Sequence, residues 1–277
     1  MQTTDTKDST VMTDIQNHNK ILVERSGPIG RIVINNEAKR NAMSLDMWQA
    51  IPAAVKSLDD DFDIHVIVIT GAGSKAFVSG ADIGEFDTVR KDTASATRYD
   101  DINSDCYRAV RNANKPTIAL IKGFCMGGGF GLAAACDLRL SNANGKFGIP
   151  AGKLGVGYPT NAIADIVNLV GSANAKELYL TARVYGAQDA QKLGFLNAIF
   201  DDETFDEAAE DYCKTVATLA PMSAQYHKAA INSAIGQSDS LSMNELKSMA
   251  NACFDSQDYA EGRNAFAEKR KPVFIGK

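Results

Sequence analysis

The sequence lacks the features that identify most nucleic-acid-binding, metal-binding and membrane-spanning chains. Its Lys and Arg residues are scattered and its net charge is −5, so it has no basic stripe for nucleic acid. No window is apolar for long enough to span a membrane, and the first residues show no basic-then-apolar leader. We therefore expect no nucleic-acid or membrane partner and a cytoplasmic location.

Cysteine usage supports the same expectation. The five cysteines are odd in number and show no metal-ligand spacing. Buried thiols in apolar surroundings are typical of a reducing compartment. The sequence thus predicts neither a metal site nor disulfides; the cysteines are Cys106, Cys125, Cys136, Cys213 and Cys253.

The order of the sequence patterns predicts an α/β protein. Residues 1–19 are polar and without apolar periodicity, which predicts a disordered or variable tail. Across 20–202 short β-branched runs alternate with helical patterns, and His65–Thr70 is apolar enough for a strand covered on both faces. From 203 to 277 the pattern is helical throughout. We expect a layered core domain followed by an α-helical region.

A glycine-rich stretch, Lys115–Asn142, is the feature around which the chain is organised. An apolar strand, Thr117–Ile121, leads into glycines, and a small-residue helix at Leu132–Cys136 leads to a second strand. Glycine lets a ligand approach main-chain N–H groups, and those at a helix start are unpaired. Such groups can hold a phosphate or stabilise a developing oxyanion. The glycines are Gly123, Gly127, Gly128, Gly129 and Gly131.

Two phosphate-binding interpretations of this stretch fail on spacing. A dinucleotide fingerprint needs a third glycine where Leu132 stands, and an acid about twenty residues on where Phe147 stands. A P-loop needs Gly-Lys-Ser/Thr, which is absent here. An oxyanion site remains, beside the alternative that the glycines only permit close helix–strand packing.

A second small-residue turn follows another buried strand. In Ala76–Phe86, Gly80 and Ala81 precede Asp82, which is placed to begin a helix. If the two turns converge, they supply the pair of N–H donors that a thioester or amide oxyanion requires.

Five segments together resemble the crotonase (enoyl-CoA hydratase/isomerase) superfamily. They are KRNAMS at 39–44, VIVITGAGSKAFVSGADIGEF at 66–86, PTIALIKGFCMGGGFGLAAACDLRL at 116–140, FGIPAGKLGVGY at 147–158 and EGRNAFAEKRKPVF at 261–274. The resemblance implies a spiral of ββα units with a C-terminal α-helical trimerisation region, and a homotrimer or a homohexamer built as a dimer of trimers. It also implies an acyl-CoA ligand, with CoA as part of the substrate and no separate cofactor.

The resemblance also assigns residues. It places the oxyanion-hole N–H groups at Ala81 and Gly128, the same donors that the two turns suggest. It implies contacts with the acyl-CoA at seven further positions: Lys39, Arg40, Ala42, Asp82, Ile83, Gly84 and Lys269.

The sequence departs from this family at the two positions that carry its hydratase glutamates. Gly131 and Ala151 stand there, and neither can transfer a proton. Tyr158 lies where related decarboxylases of malonyl-type thioesters carry a tyrosine, so we take it as a catalytic candidate. Other nearby candidates for proton transfer are Glu85, Asp82 and Lys153.

Three functions remain open. The first is a lyase or isomerase of acyl-CoA thioesters that stabilises an enolate in the oxyanion hole. The second is a decarboxylase of malonyl-CoA or methylmalonyl-CoA type esters, in which loss of carbon dioxide replaces the base. The third is a binding protein for acyl-CoA with little turnover.

Overall fold

The computed structural model describes residues 20–237 and 241–277. The predicted tail at 1–19 lies outside the described residues. The strands are β1 (Ile21–Ser26), β2 (Ile29–Ile34), β3 (Val66–Gly71), β4 (Ala76–Val78), β5 (Thr117–Ile121), β6 (Phe124–Met126), β7 (Leu138–Asn142), β8 (Lys146–Gly148), β9 (Tyr185–Gly186) and β10 (Ala198–Phe200).

Helices separate these strands and then follow them. They are α1 (Leu45–Asp59), α2 (Phe86–Val89), α3 (Thr93–Arg111), α4 (Gly128–Ala135), α5 (Thr160–Thr181), α6 (Ala187–Lys192), α7 (Phe205–Ala217), α8 (Pro221–Ala234), α9 (Met243–Phe254) and α10 (Gln257–Glu268). Short 3₁₀ helices cover Glu37–Lys39, Ile83–Glu85 and Pro150–Leu154.

The strands of the described residues form two sheets. The larger has the order β1-β2-β3-β5-β7-β10, and the smaller has the order β4-β6-β8-β9. The pairs β3–β4, β5–β6 and β7–β8 each send their first strand to the large sheet and their second to the small sheet before a helix follows, while β1 and β2 both belong to the large sheet. This is the expected ββα repeat in an α/β protein with a C-terminal helical region.

Strand β3 shows why the large sheet is covered on both faces. Side chains alternate along a strand. Ile67 and Ile69 belong to the main core beneath α1 and α3, while Val66 and Val68 pack on the opposite face with Phe205 of α7. The predicted two-sided burial of this strand is therefore confirmed.

The central glycine stretch differs from its prediction in detail. The extra strand β6 stands between β5 and the glycine turn, and α4 begins at Gly128 rather than at Leu132. Farther along the chain, the sequence pattern predicts two helices, at about Asn161–Leu169 and Ala175–Leu180, and α5 indeed consists of two helical segments that meet at a kink at Gly171, where φ is 75°. Glycine tolerates this conformation, so the chain turns there without a loop.

The C-terminal helices carry much apolar surface. Phe254 and Phe266 are 64% and 88% exposed. Within the described residues, no helix combines the length and apolarity needed to cross a membrane.

Candidate active site

The two small-residue turns leave neighbouring parallel strands. Strand β4 pairs in parallel with β6, and each strand ends directly before its turn. Carboxyl ends of parallel strands meet at one edge of a sheet, where open α/β sheets bind their ligands. A Cβ built on Gly127 would lie 3.9 Å from the Gly80 Cα, so the turns are in near contact. The two turns therefore lie side by side, and the convergence of their N–H groups on one atom stays a prediction.

The neighbours of Ala81 hold its turn against the loop before α1. The N–H of Met43 donates to the Gly80 carbonyl at 2.9 Å, and the N–H of Asp82 donates to the Met43 carbonyl at 2.8 Å. Among the described residues, the turn and loop hydrogen bonds do not use the N–H of Ala81. This donor therefore remains available beside a well-anchored backbone.

The N–H of Gly128 is the first of helix α4. Gly127 is the N-cap with φ of 51°, and its carbonyl accepts the N–H groups of Phe130 and Gly131 at 2.9 and 3.2 Å. The peptide that joins Gly127 to Gly128 is planar, so its N–H points opposite to that carbonyl and away from the helix. It is not used by the turn and cap hydrogen bonds of the described chain, and it lies at the positive end of the helix dipole.

Close packing requires glycine at the start of α4. A Cβ on Gly128 would lie 2.9 Å from Trp48 Cζ2, and one on Gly129 would lie 2.5 Å from the Val78 Cβ. Both interpretations of the glycine run are thus compatible with the structure: it permits tight packing and it leaves the turn N–H groups open.

A cavity of about 110 Å³ opens at these turns. The helices α2 and α3, the two turns and the segment 150–159 surround it. Its lining includes Ser79, Gly80, Ala81, Ile83, Phe86, Arg90, Tyr99, Asp100, Asn103, Tyr107, Gly127, Gly128, Ala151, Leu154 and Tyr158.

Two tyrosines contact the carbonyls of the glycine turn. The Tyr158 hydroxyl donates to the Gly127 carbonyl at 2.8 Å, and the Tyr107 hydroxyl donates to the Gly128 carbonyl at 3.2 Å. Burial raises the pKa of Tyr158 and that of Tyr107 well above the ordinary phenol value. Both phenols are therefore protonated at neutral pH and fix the turn that carries the Gly128 N–H.

Gly131 lies behind the same tyrosines. A Cβ there would meet the Tyr158 hydroxyl at 2.7 Å and Tyr107 Cζ at 3.0 Å. Ala151 lines the cavity at the start of a 3₁₀ helix. Neither side chain offers an acid or a base, and the space beside residue 131 is filled.

The acidic candidates from the sequence have other partners. Asp82 pairs with Lys39 at 2.5 Å, accepts the N–H of Gly84 at 3.2 Å, and has a pKa lowered mainly by its hydrogen bond with Lys39. Glu85 accepts the N–H of Leu45 at 2.9 Å and so caps α1. Lys153 is exposed and is not among the residues that line the cavity.

The residues expected to contact CoA lie in three places. Ile83 lines the cavity and is 57% exposed, while Ala42 and Gly84 lie in the adjoining turns. Arg40 lies with Lys75 and Phe124 along an open surface groove, its guanidinium 5.8 Å from the Phe124 ring centroid. Lys269 follows α10 and lines none of the cavities found in the described residues.

The sequence analysis missed the polar side of the cavity. Arg90, Asp100 and Asn103 all line it, and Arg90 forms an ion pair with Asp100. Burial raises the pKa of Asp100, opposed by Arg90. Asp100 and Asn103 lie on α3 and Arg90 directly follows α2, and no sequence motif distinguishes the inward face of α3 from its solvent face. A search for polar residues at four-residue spacing on one face would have found Asn103 between Tyr99 and Tyr107.

Known proteins resemble the chain over nearly its whole length. The family model for enoyl-CoA hydratase/isomerase matches residues 24–277. A crotonyl-CoA hydratase from Syntrophomonas wolfei is 31% identical, with 94% of this chain and 99% of the relative covered. A short-chain-enoyl-CoA hydratase from Clostridium acetobutylicum is 29% identical, with 91% and 96% covered.

Solved structures give the same result for the fold. A crystal structure of an enoyl-CoA hydratase/carnithine racemase from Magnetospirillum magneticum superposes with a TM-score of 0.89 at 37% identity, covering 94% of this chain and 97% of that one. The chain belongs to the enoyl-CoA hydratase/isomerase family.

Proposed function

We propose that this protein is an enzyme that binds an acyl-CoA thioester with its carbonyl oxygen between the N–H groups of Ala81 and Gly128 and stabilises the enolate formed there. The observation that supports the proposal is the near contact of the two turns that carry these donors, at the ends of parallel strands β4 and β6. Donors aimed at developing charge contribute about 10²–10³ in rate for each one.

Of the two N–H groups, that of Gly128 is held and polarised more strongly by its surroundings. It starts a helix, and the carbonyl of its own peptide accepts three donors, the last of them from Tyr158. Hydrogen bonds in a chain polarise one another, so these bonds strengthen the N–H as a donor. We infer that Tyr158 acts as a positioning residue for this peptide.

Water addition by two glutamates is not the reaction we propose. Gly131 and Ala151 stand at the positions where the resemblance places the family's glutamates, and the tyrosines fill the space beside residue 131. The lyase or isomerase chemistry we propose stabilises an enolate and draws its proton transfer from elsewhere in the cavity. Asp100 is the carboxylate that lines the described part of this cavity.

A second candidate is decarboxylation of a malonyl-CoA type ester. When the carbon–carbon bond to the carboxylate breaks, its electron pair moves onto the thioester oxygen, and carbon dioxide leaves without a base. The protonated Tyr158 and the absence of a base at residues 131 and 151 favour this candidate.

The CoA moiety needs cations and a flat apolar surface for its phosphates and adenine. The groove formed by Arg40, Lys75 and Phe124 offers both, and Lys39 lies between that groove and the Ala81 turn. We propose that CoA follows this path. Asp82 forms an ion pair with Lys39 in the ligand-free protein, so CoA binding to Lys39 must compete with Asp82.

Assembly into a homotrimer or hexamer is part of the proposal. The C-terminal helices expose large apolar side chains, among them Phe254, Phe266 and Ile231. Phe254 and Phe266 line one surface groove, and large exposed apolar surface marks interaction sites. Assembly would also give Lys269 a neighbouring cavity to reach. Light scattering on the purified protein measures the subunit number.

The test of function is a turnover screen against crotonyl-CoA, a longer enoyl-CoA, malonyl-CoA and methylmalonyl-CoA. Loss of enoyl absorbance and release of carbon dioxide are followed separately. Carbon dioxide release alone selects decarboxylation, and double-bond migration selects the isomerase form. Efficient hydration would contradict the argument from residues 131 and 151. Tight binding without turnover would leave the low-turnover acyl-CoA-binding protein as the better description.

A further inference from the structure

One face of helix α3 forms a wall of the cavity. Tyr99, Asn103 and Tyr107 line it at four-residue spacing, so they share that face and succeed one another by about 6 Å along the axis. Tyr107 is bonded to the Gly128 carbonyl, which locates its end of the face at the glycine turn. Asn103 therefore lies one helical turn further along the cavity.

The Asn103 amide is buried without an acceptor for its N–H₂ group. The residue is 6% exposed, and its Nδ2 has no hydrogen-bond partner among the described residues. The neighbouring Tyr99 hydroxyl accepts the indole N–H of Trp48 at 3.0 Å. Burial raises the pKa of Tyr99 to about 12, and the Trp48 hydrogen bond, the Arg90 charge and a smaller contribution from the Asn103 amide offset part of the rise. The Asn103 amide thus approaches Tyr99, but its Nδ2 makes no hydrogen bond of normal geometry with it. A buried donor without a partner carries the full cost of its desolvation, which a ligand acceptor would recover.

Arg90 adds a charged group to the same wall. Its guanidinium forms an ion pair with Asp100 and lies 4.7 Å from the Tyr99 ring centroid. The Arg90 side chain is only 13% exposed. The pair is neutral overall, yet a guanidinium has five N–H donors, and Asp100 does not use all of them.

We propose that Arg90, Asp100 and Asn103 form an acyl-chain subsite for an oxygen that accepts hydrogen bonds, so that the preferred substrate is a CoA thioester with an oxygenated short acyl chain. The oxygen belongs to a carboxylate or to a keto or hydroxyl group, and a purely hydrocarbon chain leaves the Asn103 amide unpaired. The inference rests on the proposed function, because it places the acyl chain in the cavity beside the Ala81 and Gly128 turns.

The experiment compares CoA esters of equal chain length by calorimetric binding to the full-length protein. Butyryl-CoA is the hydrocarbon reference, acetoacetyl-CoA and 3-hydroxybutyryl-CoA carry uncharged oxygens, and succinyl-CoA carries a carboxylate. The wild type is expected to bind at least one oxygenated ester about tenfold more tightly than butyryl-CoA. Preference for succinyl-CoA assigns a carboxylate to the subsite, and preference for the others assigns an uncharged oxygen.

Asn103→Leu has nearly the same shape as asparagine but no amide. It is expected to reduce the preference to less than threefold while binding butyryl-CoA at least as well as the wild type. Asp101→Asn is the matched control, since Asp101 is exposed on the same helix and does not line the cavity. It should leave every affinity unchanged.

Three results would overturn the inference. One is equal affinity of the wild type for butyryl-CoA and all oxygenated esters, which needs no variant. Another is an Asn103→Leu protein that keeps the full preference. Failure of every ester to bind more tightly than free CoA would instead remove the proposed function, and the inference with it.

Discussion

Replacing Gly131 with alanine should destabilise the protein, although alanine is the better helix former. In a helix interior the exchange normally gains up to about 1 kcal/mol. Here the new Cβ would lie 2.7 Å from the Tyr158 hydroxyl and 3.0 Å from Tyr107 Cζ. Overpacking of this kind costs about 1–3 kcal/mol, and moving Tyr158 also gives up its bond to Gly127, at about 1 kcal/mol.

We therefore expect Gly131→Ala to lower the free energy of unfolding by about 1–3 kcal/mol, since the propensity gain offsets part of these costs. Tyr158→Phe removes the closest contacting atom. In that background the alanine should cost less, with a coupling of about 1 kcal/mol in a double-mutant cycle. Urea denaturation at one fixed protein concentration measures all four proteins.

Gly186→Ala is the matched control, because a Cβ there has no atom within 4 Å and its φ is −78°. Its unfolding free energy should change by less than about 0.5 kcal/mol. If Gly131→Ala behaves like this control, the space beside residue 131 is not filled as described. A glutamate at 131 starts with the same Cβ, so the same contact opposes installing a hydratase acid there.

Three further predictions concern other parts of the site. Tyr158→Phe should lower kcat at least tenfold with little change in ester affinity and no change in the shape of the pH profile; loss of an ionisation from that profile would show that Tyr158 transfers a proton. Lys39→Met should weaken CoA-ester binding roughly two- to fivefold, and Asp82→Asn should strengthen it by a similar factor, because Asp82 pairs with Lys39 in the free protein. Calorimetry at low salt measures both affinities. If both variants change the affinity in the same direction, Asp82 and the CoA ester do not compete for Lys39. The pair raises the pKa of Lys39 and lowers that of Asp82. The contribution of this ion pair should therefore be constant between about pH 6 and 9. It should be lost as acid lowers the pH through the depressed aspartate pKa, and also as alkali raises the pH through the raised lysine pKa; a marked decline in the Lys39→Met effect between about pH 6 and 9 would refute it.

Much of the fold followed from the sequence because long apolar runs and helical periodicity are strong signals. Strand β5 has the predicted bounds, and β3 is covered on both faces as expected. The second sheet was not recognised as a unit. Its strands β4, β6, β8 and β9 have only two or three residues, too few to show an alternating pattern. The sequence placed the start of α4 four residues too late, at Leu132 instead of Gly128, because glycine is a poor helix former. At these glycines tertiary packing, rather than helix propensity, determines where the helix begins.

The site was predictable where backbone chemistry has a sequence signature. Ala81 and Gly128 were identified from glycine turns after strands, and both line one cavity. Their role as oxyanion donors stays a prediction, as do the CoA contacts, the cytoplasmic location and the division of the chain at residue 202. The α3 wall escaped notice because the direction of Asn103 depends on how the helix is rotated against α4. Arg90 lies outside that helix, directly after α2, where no periodic pattern indicates its direction.

The most direct test of the central claim is the infrared carbonyl band of butyryl-CoA labelled with carbon-13 at the thioester carbon. Bound to the protein, the band is expected at a lower frequency than in water. Two N–H donors polarise the carbonyl group towards its oxygen, and this weakens the carbon–oxygen bond. A bound ester whose carbonyl band stays at the aqueous position would show that Ala81 and Gly128 do not form an oxyanion hole.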